Sequence, residues 1–170
     1  MATIGKTRRP MSPAPRGVLH RLTEGDLDYH RQAPPPALAE WIEHFWGVRW
    51  QVPEPRLQET LPHPNVHVVV EDGRAEVSGV QTRRFTRVLA GRGRVFGIKF
   101  RAGAFRPWLG QPVCTLADRV LPVATLFGEG DARALAALLE CEDDAAAAEA
   151  AGRFLGERLP PEPDPQAVLA

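Results

Sequence analysis

Residues 84–109 read RFTRVLAGRGRVFGIKFRAGAFRPWL: two runs rich in Val, Ile and Phe, a glycine-flanked joint at Gly91-Arg92-Gly93, then a change of period. The runs Arg84–Ala90 and Arg94–Arg101 predict an antiparallel hairpin, because glycine reaches the positive φ values that tight turns need. In the second run Phe96, Ile98 and Phe100 fall on one face and Gly97, Lys99 and Arg101 on the other. After Gly103, the residues Ala104, Phe105, Trp108 and Leu109 lie at helical spacing and predict a short helix covering the end of a sheet.

On the N-terminal side the chain is strand-like. Arg31–Pro36 is extended by its consecutive prolines, and Ala37–Trp41 begins a short helix. His44–Val52 (HFWGVRWQV) alternates, with Trp46, Val48, Trp50 and Val52 on one face. Pro53 and Pro55 are expected to break that strand, with a restart at Gln58–Leu61. Further strands are expected within Leu61–Asp72 and at Glu76–Val80. Lys99 and Arg101 are expected on a solvated outer face, with a surface for an anion or acidic partner as the rival. On the C-terminal side, Thr115–Asp118 predicts a capped turn, Asp131 an N-cap for a helix over Ala132–Glu140, and Asp143 or Asp144 a cap for a helix to about Leu159. Strands first and helices afterwards give an α+β class, a small antiparallel β-barrel or cupin-like sandwich followed by a C-terminal helical segment.

The 170 residues suit a single domain with a substantial core. Lys plus Arg and Asp plus Glu number 21 each, so the formal charge is zero, which argues against a general nucleic-acid-binding surface. Cys114 and Cys141 lack a CxxC partner and read as buried thiols of a cytoplasmic protein. No run approaches the about 18 apolar residues of a membrane helix.

The motifs that carry chemistry are few. Gly91-x-Gly93-x-x-x-Gly97 has the wrong spacing for a dinucleotide loop and precedes a strand, so hairpin glycines account for it better than a phosphate site. His63 and His67 are the candidate metal ligands, as paired histidines on a strand. They lack a third ligand at recognisable spacing, so local hydrogen bonding is the favoured reading. Trp41, Phe45, Trp46 and Trp50 read as core, with the walls of a binding cavity as the rival. No nucleophile–base set can be assembled, so no catalytic residue and no cofactor is assigned.

The order HFWGVRW, ETLPHPNVHVVVEDG, RVLAGRGRVFGIKFRAGAFRPWLG and LADRVLPVATLFG resembles the N-terminal domain of a branch of AraC-type bacterial transcription regulators, over about Leu22–Leu159. Glu59–His67 and Phe96–Trp108 carry it most specifically. Ala102 departs from the family's pattern, where a proline stands. The resemblance implies a barrel-like sensor and dimerisation domain that normally precedes two helix-turn-helix units. The expected layout is a flexible leader over 1–22, the sensor domain over 23–160 (β-rich 40–101, helical 103–159), and a linker over 161–170 towards a DNA-binding part that this chain lacks. The expected partners are a small-molecule effector and a second copy of the chain, with DNA reached only through the missing part and no membrane. The candidate pocket comprises Trp46, Trp50, His63, His67, Phe96, Lys99 and Phe100, and the alanine-rich helices over 131–159 are the expected dimer surface. A ligand-free interaction module and a cupin-like metal-dependent enzyme are the alternatives.

Overall fold

The structure is a computed structural model that describes residues 27–159; the leader and linker expected at 1–22 and 161–170 lie outside the described residues. Six strands form one antiparallel sheet: β1 (Leu27–Gln32), β2 (Ile42–Thr60), β3 (His67–Glu71), β4 (Arg74–Ser78), β5 (Phe85–Phe100) and β6 (Val120–Pro122). Their order is β1-β2-β5-β3-β4-β6. Helix α1 (Arg106–Leu109) lies between β5 and β6, and α2 (Val123–Phe127), α3 (Glu129–Ala136) and α4 (Asp144–Gly156) follow β6. The α+β class with C-terminal helices is thus the observed one, and the β-rich part is compatible with a cupin-like sandwich.

The stretch 84–109 corrects the expectation drawn from it. Gly91-Arg92-Gly93 is not a hairpin turn: Phe85–Phe100 is one continuous strand, paired through Val52↔Gly91, Gln51↔Arg92 and Trp50↔Gly93. The glycines have two different jobs. Gly91 takes φ 59° where the ladder loses register, a conformation that costs a side-chain-bearing residue strain. Gly93 and Gly97 instead leave room for indole rings, since a Cβ on either would overlap Trp50 or Trp46. Pro53 and Pro55 likewise do not end β2. They sit in the irregularity between Val52 and Arg56, where a missing N–H costs no ladder bond.

That irregularity bends the ladder back on itself. Arg87 lies eight residues before Val95, about 26 Å along a straight strand. Yet its guanidinium forms a two-pronged ion pair with Glu71, whose Cα partner is Val95. The same guanidinium lies 5.4 Å from the Trp50 ring centroid, and Trp50 Nε1 donates to the Ala90 carbonyl at 3.3 Å. The outer ribbon of β2 and β5 therefore folds over one face of the sheet. Beneath it Trp50, Val52, Leu89 and Val95 form a small core edged by Trp46, Val48 and Val69.

The main core lies on the other face. Phe45, Phe96, Ile98, Val68, Val70 and Val77 point there and meet Leu135, Leu138, Ala147, Ala148, Ala151 and Leu155 from the helical layer. A fully buried side chain of the Phe or Ile kind contributes roughly 1.5–3 kcal/mol. Phe100, Phe105 and Trp108 pack edge-on and stacked at the strand end, with centroid separations of 4.8–6.3 Å. The predicted lid after Gly103 is present as the single turn α1.

Helix α4 is held to the sheet by charge as well as by packing. Asp143 caps it by accepting from Ala146 N at 2.9 Å. Asp144, 7% exposed, turns inward to Arg94 Nη2 at 2.7 Å and Arg49 Nη2 at 3.3 Å. Gly47 makes the space, because a Cβ there would overlap the Asp144 carboxylate. Arg94 also donates to the carbonyls of Leu139 and Cys141. Asp131 does not cap a helix as expected. Gly128 precedes α3, and Asp131 instead receives two hydrogen bonds from Arg158, at 2.8 and 2.9 Å. The expected helix over Ala132–Glu140 is α3 followed by a 3-10 turn at Ala137–Glu140. Cys114 is exposed rather than buried, Cys141 is partly buried, and both are free thiols.

Candidate functional site

Strand register decides which candidate residues can meet. His44 on β2 pairs with Lys99 on β5, Lys99 pairs with His67 on β3, and His67 pairs with Ser78 on β4. Directly opposed residues in an antiparallel sheet point to the same side. The four form a polar row on the face that the outer ribbon covers. Trp46 stands one step along the same face, its ring lying over Gly97.

The row is hydrogen-bonded. Trp46 Nε1 donates to His67 Nδ1 at 3.2 Å, with the rings edge-on at 6.0 Å between centroids. Lys99 Nζ donates to Glu43 Oε1 at 3.0 Å, although only 14% of the Lys99 side chain is exposed. His44 Nδ1 lies 3.4 Å from the same carboxylate oxygen. Asn65, buried, donates to the Phe100 carbonyl at 2.8 Å and to Glu43 Oε2 at 3.3 Å.

The electrostatics follow from that packing. His67 is lowered to about 3, first by burial, which disfavours the charged imidazolium, and then by the field of Lys99. His44 is lowered to about 4 by burial and by Arg31. For Glu43, burial pushes upward, but the hydrogen bond from Lys99 and the charges of Lys99, His44 and Arg31 prevail and hold the carboxyl below its ordinary value. Both imidazoles are therefore neutral at pH 7. Among the described residues, the charged side chains acting on these histidines include the cations Arg31 and Lys99 and the carboxylate of Glu43.

Of the seven candidate pocket residues, the structure brings Trp46, His67 and Lys99 together, with Trp50 on the same face under the ribbon. Phe96 and Phe100 belong to the opposite face, inside the main core with the helices. Strand alternation separates the two sets by the thickness of the sheet. His63 precedes β3 in an irregular stretch, near enough for its charge to act on His67, and only His67 is in the strand. Among the described residues no group of three His, Cys, Asp or Glu could hold a metal ion, and Nδ1 of His67 is already engaged with Trp46. Lys99 does not lie on a solvated outer face; it is largely covered. Of the six alanines of α4, Ala147, Ala148 and Ala151 are buried within the chain, while Ala145, Ala146 and Ala150 are partly exposed.

Glu43, His44, Arg31 and Asn65 were missed in the sequence. His44 could have been found by parity, since it shares the face of Trp46. Asn65 and Glu43 carry no periodic signal, because the irregular backbone at 61–66 and the register shift between Ile42 and His44 bring them together.

Arranged this way, the cluster can recognise a small polar or anionic group. Lys99 and Arg31 supply charge, the neutral imidazoles supply hydrogen bonds, and the Trp46 ring supplies an apolar wall. Acid–base catalysis at neutral pH is best served by a group titrating near 7, and both histidines are pushed well below that.

A family model described as a domain of unknown function, DUF6597, matches residues 30–122. The matched stretch takes in the polar row and most of the sheet, while α2, α3 and α4 lie beyond it. No curated protein and no solved structure matches the chain.

Proposed function

The chain belongs to the DUF6597 family, domains of unknown function, and from that premise we propose that it is the regulatory domain of an AraC-type transcription regulator, binding a small-molecule effector and pairing with a second copy of itself. The observation that supports this reading is that one pair of strands carries a polar cluster on one face and a helix clamp on the other. His44, Trp46 and Lys99 stand on one face of β2 and β5. On the other face of the same strands, Arg49 and Arg94 grip Asp144 at the start of α4.

An effector contacting Lys99 and Trp46 would act on strands whose other side holds the helix. Regulation requires differential affinity for two arrangements of such an element. The depressed histidines support a binding role over a catalytic one. The resemblance of Glu59–His67 and Phe96–Trp108 to AraC-type sensor domains supports the regulatory setting, with DNA contacted by a separate domain.

The test is a thermal-shift screen of small carboxylates, sugars and amino acids, read together with tryptophan emission. An effector should raise the melting temperature of the native chain and lose that effect in Lys99→Met. Sedimentation should show a dimer. A panel in which nothing shifts either signal, together with a monomer at high concentration, would sink the proposal.

A further inference from the structure

A second surface feature lies away from the polar row. Residues 83–86, leading into β5, and residues 118–120, leading into β6, form the walls of an open groove of about 280 Å³. The walls are clamped to each other: Thr82 N and Oγ1 donate to the two carboxylate oxygens of Asp118, at 2.8 and 2.5 Å. These bonds, with the Arg83 field, hold Asp118 ionised below its ordinary range. Among the described residues, the one carboxylate lining the groove thus has both oxygens engaged. Around it stand three exposed guanidiniums, Arg83, Arg84 and Arg119. Arg84 reaches Glu59 at 3.3 Å, and Arg119 donates to the Thr115 carbonyl at 3.2 Å.

Two large apolar side chains are open to solvent here, Phe85 at 44% and Val120 at 53%. The backbone is open as well. Strand β6 pairs only with β4, and the first residues of β5 pair only with β2, so among the described residues each has one edge without a strand partner. An edge of this kind is a template for strand addition, main-chain bonds giving affinity and alternate side chains giving specificity.

We propose that this groove docks an extended acidic peptide segment of a partner protein, added as a strand beside β6. Its apolar side chains cover Phe85 and Val120, and its carboxylates meet Arg83, Arg84 and Arg119. Charge complementarity selects the partner: three guanidiniums stand against two local acids, Asp118 bound by Thr82 and Glu59 paired with Arg84, and the remaining positive charge favours carboxylates, which arginine binds in paired hydrogen bonds. The surface is independent of the effector reading, since it shares no residue with the polar row.

Fluorescence anisotropy with a labelled octapeptide alternating glutamate and valine tests it on the full chain. Saturable binding is expected, weakened about tenfold by Arg83→Glu and again by Arg119→Glu, both exposed positions. Backbone N-methylation of alternate peptide residues should abolish binding, and a lysine–valine peptide should not bind. Equal competition by free succinate, insensitivity to N-methylation, or no binding by the acidic peptide would each overturn the proposal. Finding that Arg83→Glu splits a dimer of the chain would also overturn it, by making a second copy the occupant.

Discussion

The indole N–H of Trp46 points at Nδ1 of His67 across 3.2 Å. An indole nitrogen can only donate, so Nδ1 must carry a lone pair and the imidazole must be neutral. Protonating His67 would set two N–H groups against each other and add a second cation beside Lys99.

Stability should therefore fall on acidification. His67 and His44 are held at about 3 and about 4 in the folded chain against an ordinary value of 6.5. Between those limits the unfolded chain binds more protons, so unfolding is favoured as pH falls. The contribution is complete above pH 6.5, declines through the window down to about 3–4, and then levels off. Urea unfolding at stepped pH should show this slope, and His67→Gln should flatten it. An unchanged slope in the variant would mean that His67 is not the titrating group.

The glycines under the indoles should be sensitive to size. Gly97→Ala would drive a Cβ into the Trp46 ring, and overpacking of this kind costs about 1–3 kcal/mol. At Gly91 nothing lies within 4 Å of a Cβ, and only the positive φ resists. Gly91→Ala should cost about 1 kcal/mol and leave the tryptophan emission unchanged. Denaturant unfolding with near-ultraviolet dichroism separates the two cases.

Asp144 is a buried carboxylate between two arginines, and removing it strands Arg94 against the sheet. Asp144→Ala should destabilise the chain by about 3 kcal/mol, as breaking a buried pair does. Asp144→Asn, which keeps the shape, should lose less. If Asp144→Ala unfolds the chain at the same denaturant concentration as the parent, the clamp is not what holds α4.

Arg158 and Asp131 join the end of the described chain to α3 through two parallel hydrogen bonds. Both side chains are part-exposed, so a double-mutant cycle of Arg158→Ala and Asp131→Ala should give a coupling of about 1 kcal/mol. That coupling should shrink as salt is added, because screening weakens accessible pairs. A coupling insensitive to salt would point to packing of Arg158 on Phe154 instead, where the guanidinium lies 3.9 Å from the ring centroid.

Local chemistry made part of this fold legible. Alternation in HFWGVRWQV placed Trp46, Val48, Trp50 and Val52 on one face, and they are there. Asp143 was one of two expected caps of α4, and it caps. Two of the errors share one origin. Gly91-Arg92-Gly93 has the composition of a turn, and Pro53–Pro55 that of a strand break. Each was read alone, whereas in the structure Gly91 borders the same ladder irregularity that holds Pro53 and Pro55, and Arg92 and Gly93 pair regularly beside it.

The sequence by itself determined the α+β class, the strand-forming runs and the helix start at Asp143, because period and capping act over a few residues. Only the tertiary structure decided that β2 and β5 run unbroken, that the outer ribbon folds over, and that His44, Lys99, His67 and Trp46 meet while Phe96 and Phe100 go to the other side. Those outcomes depend on strand register and on which ring lies over which glycine. These are relations between residues dozens of positions apart, and no local pattern encodes them.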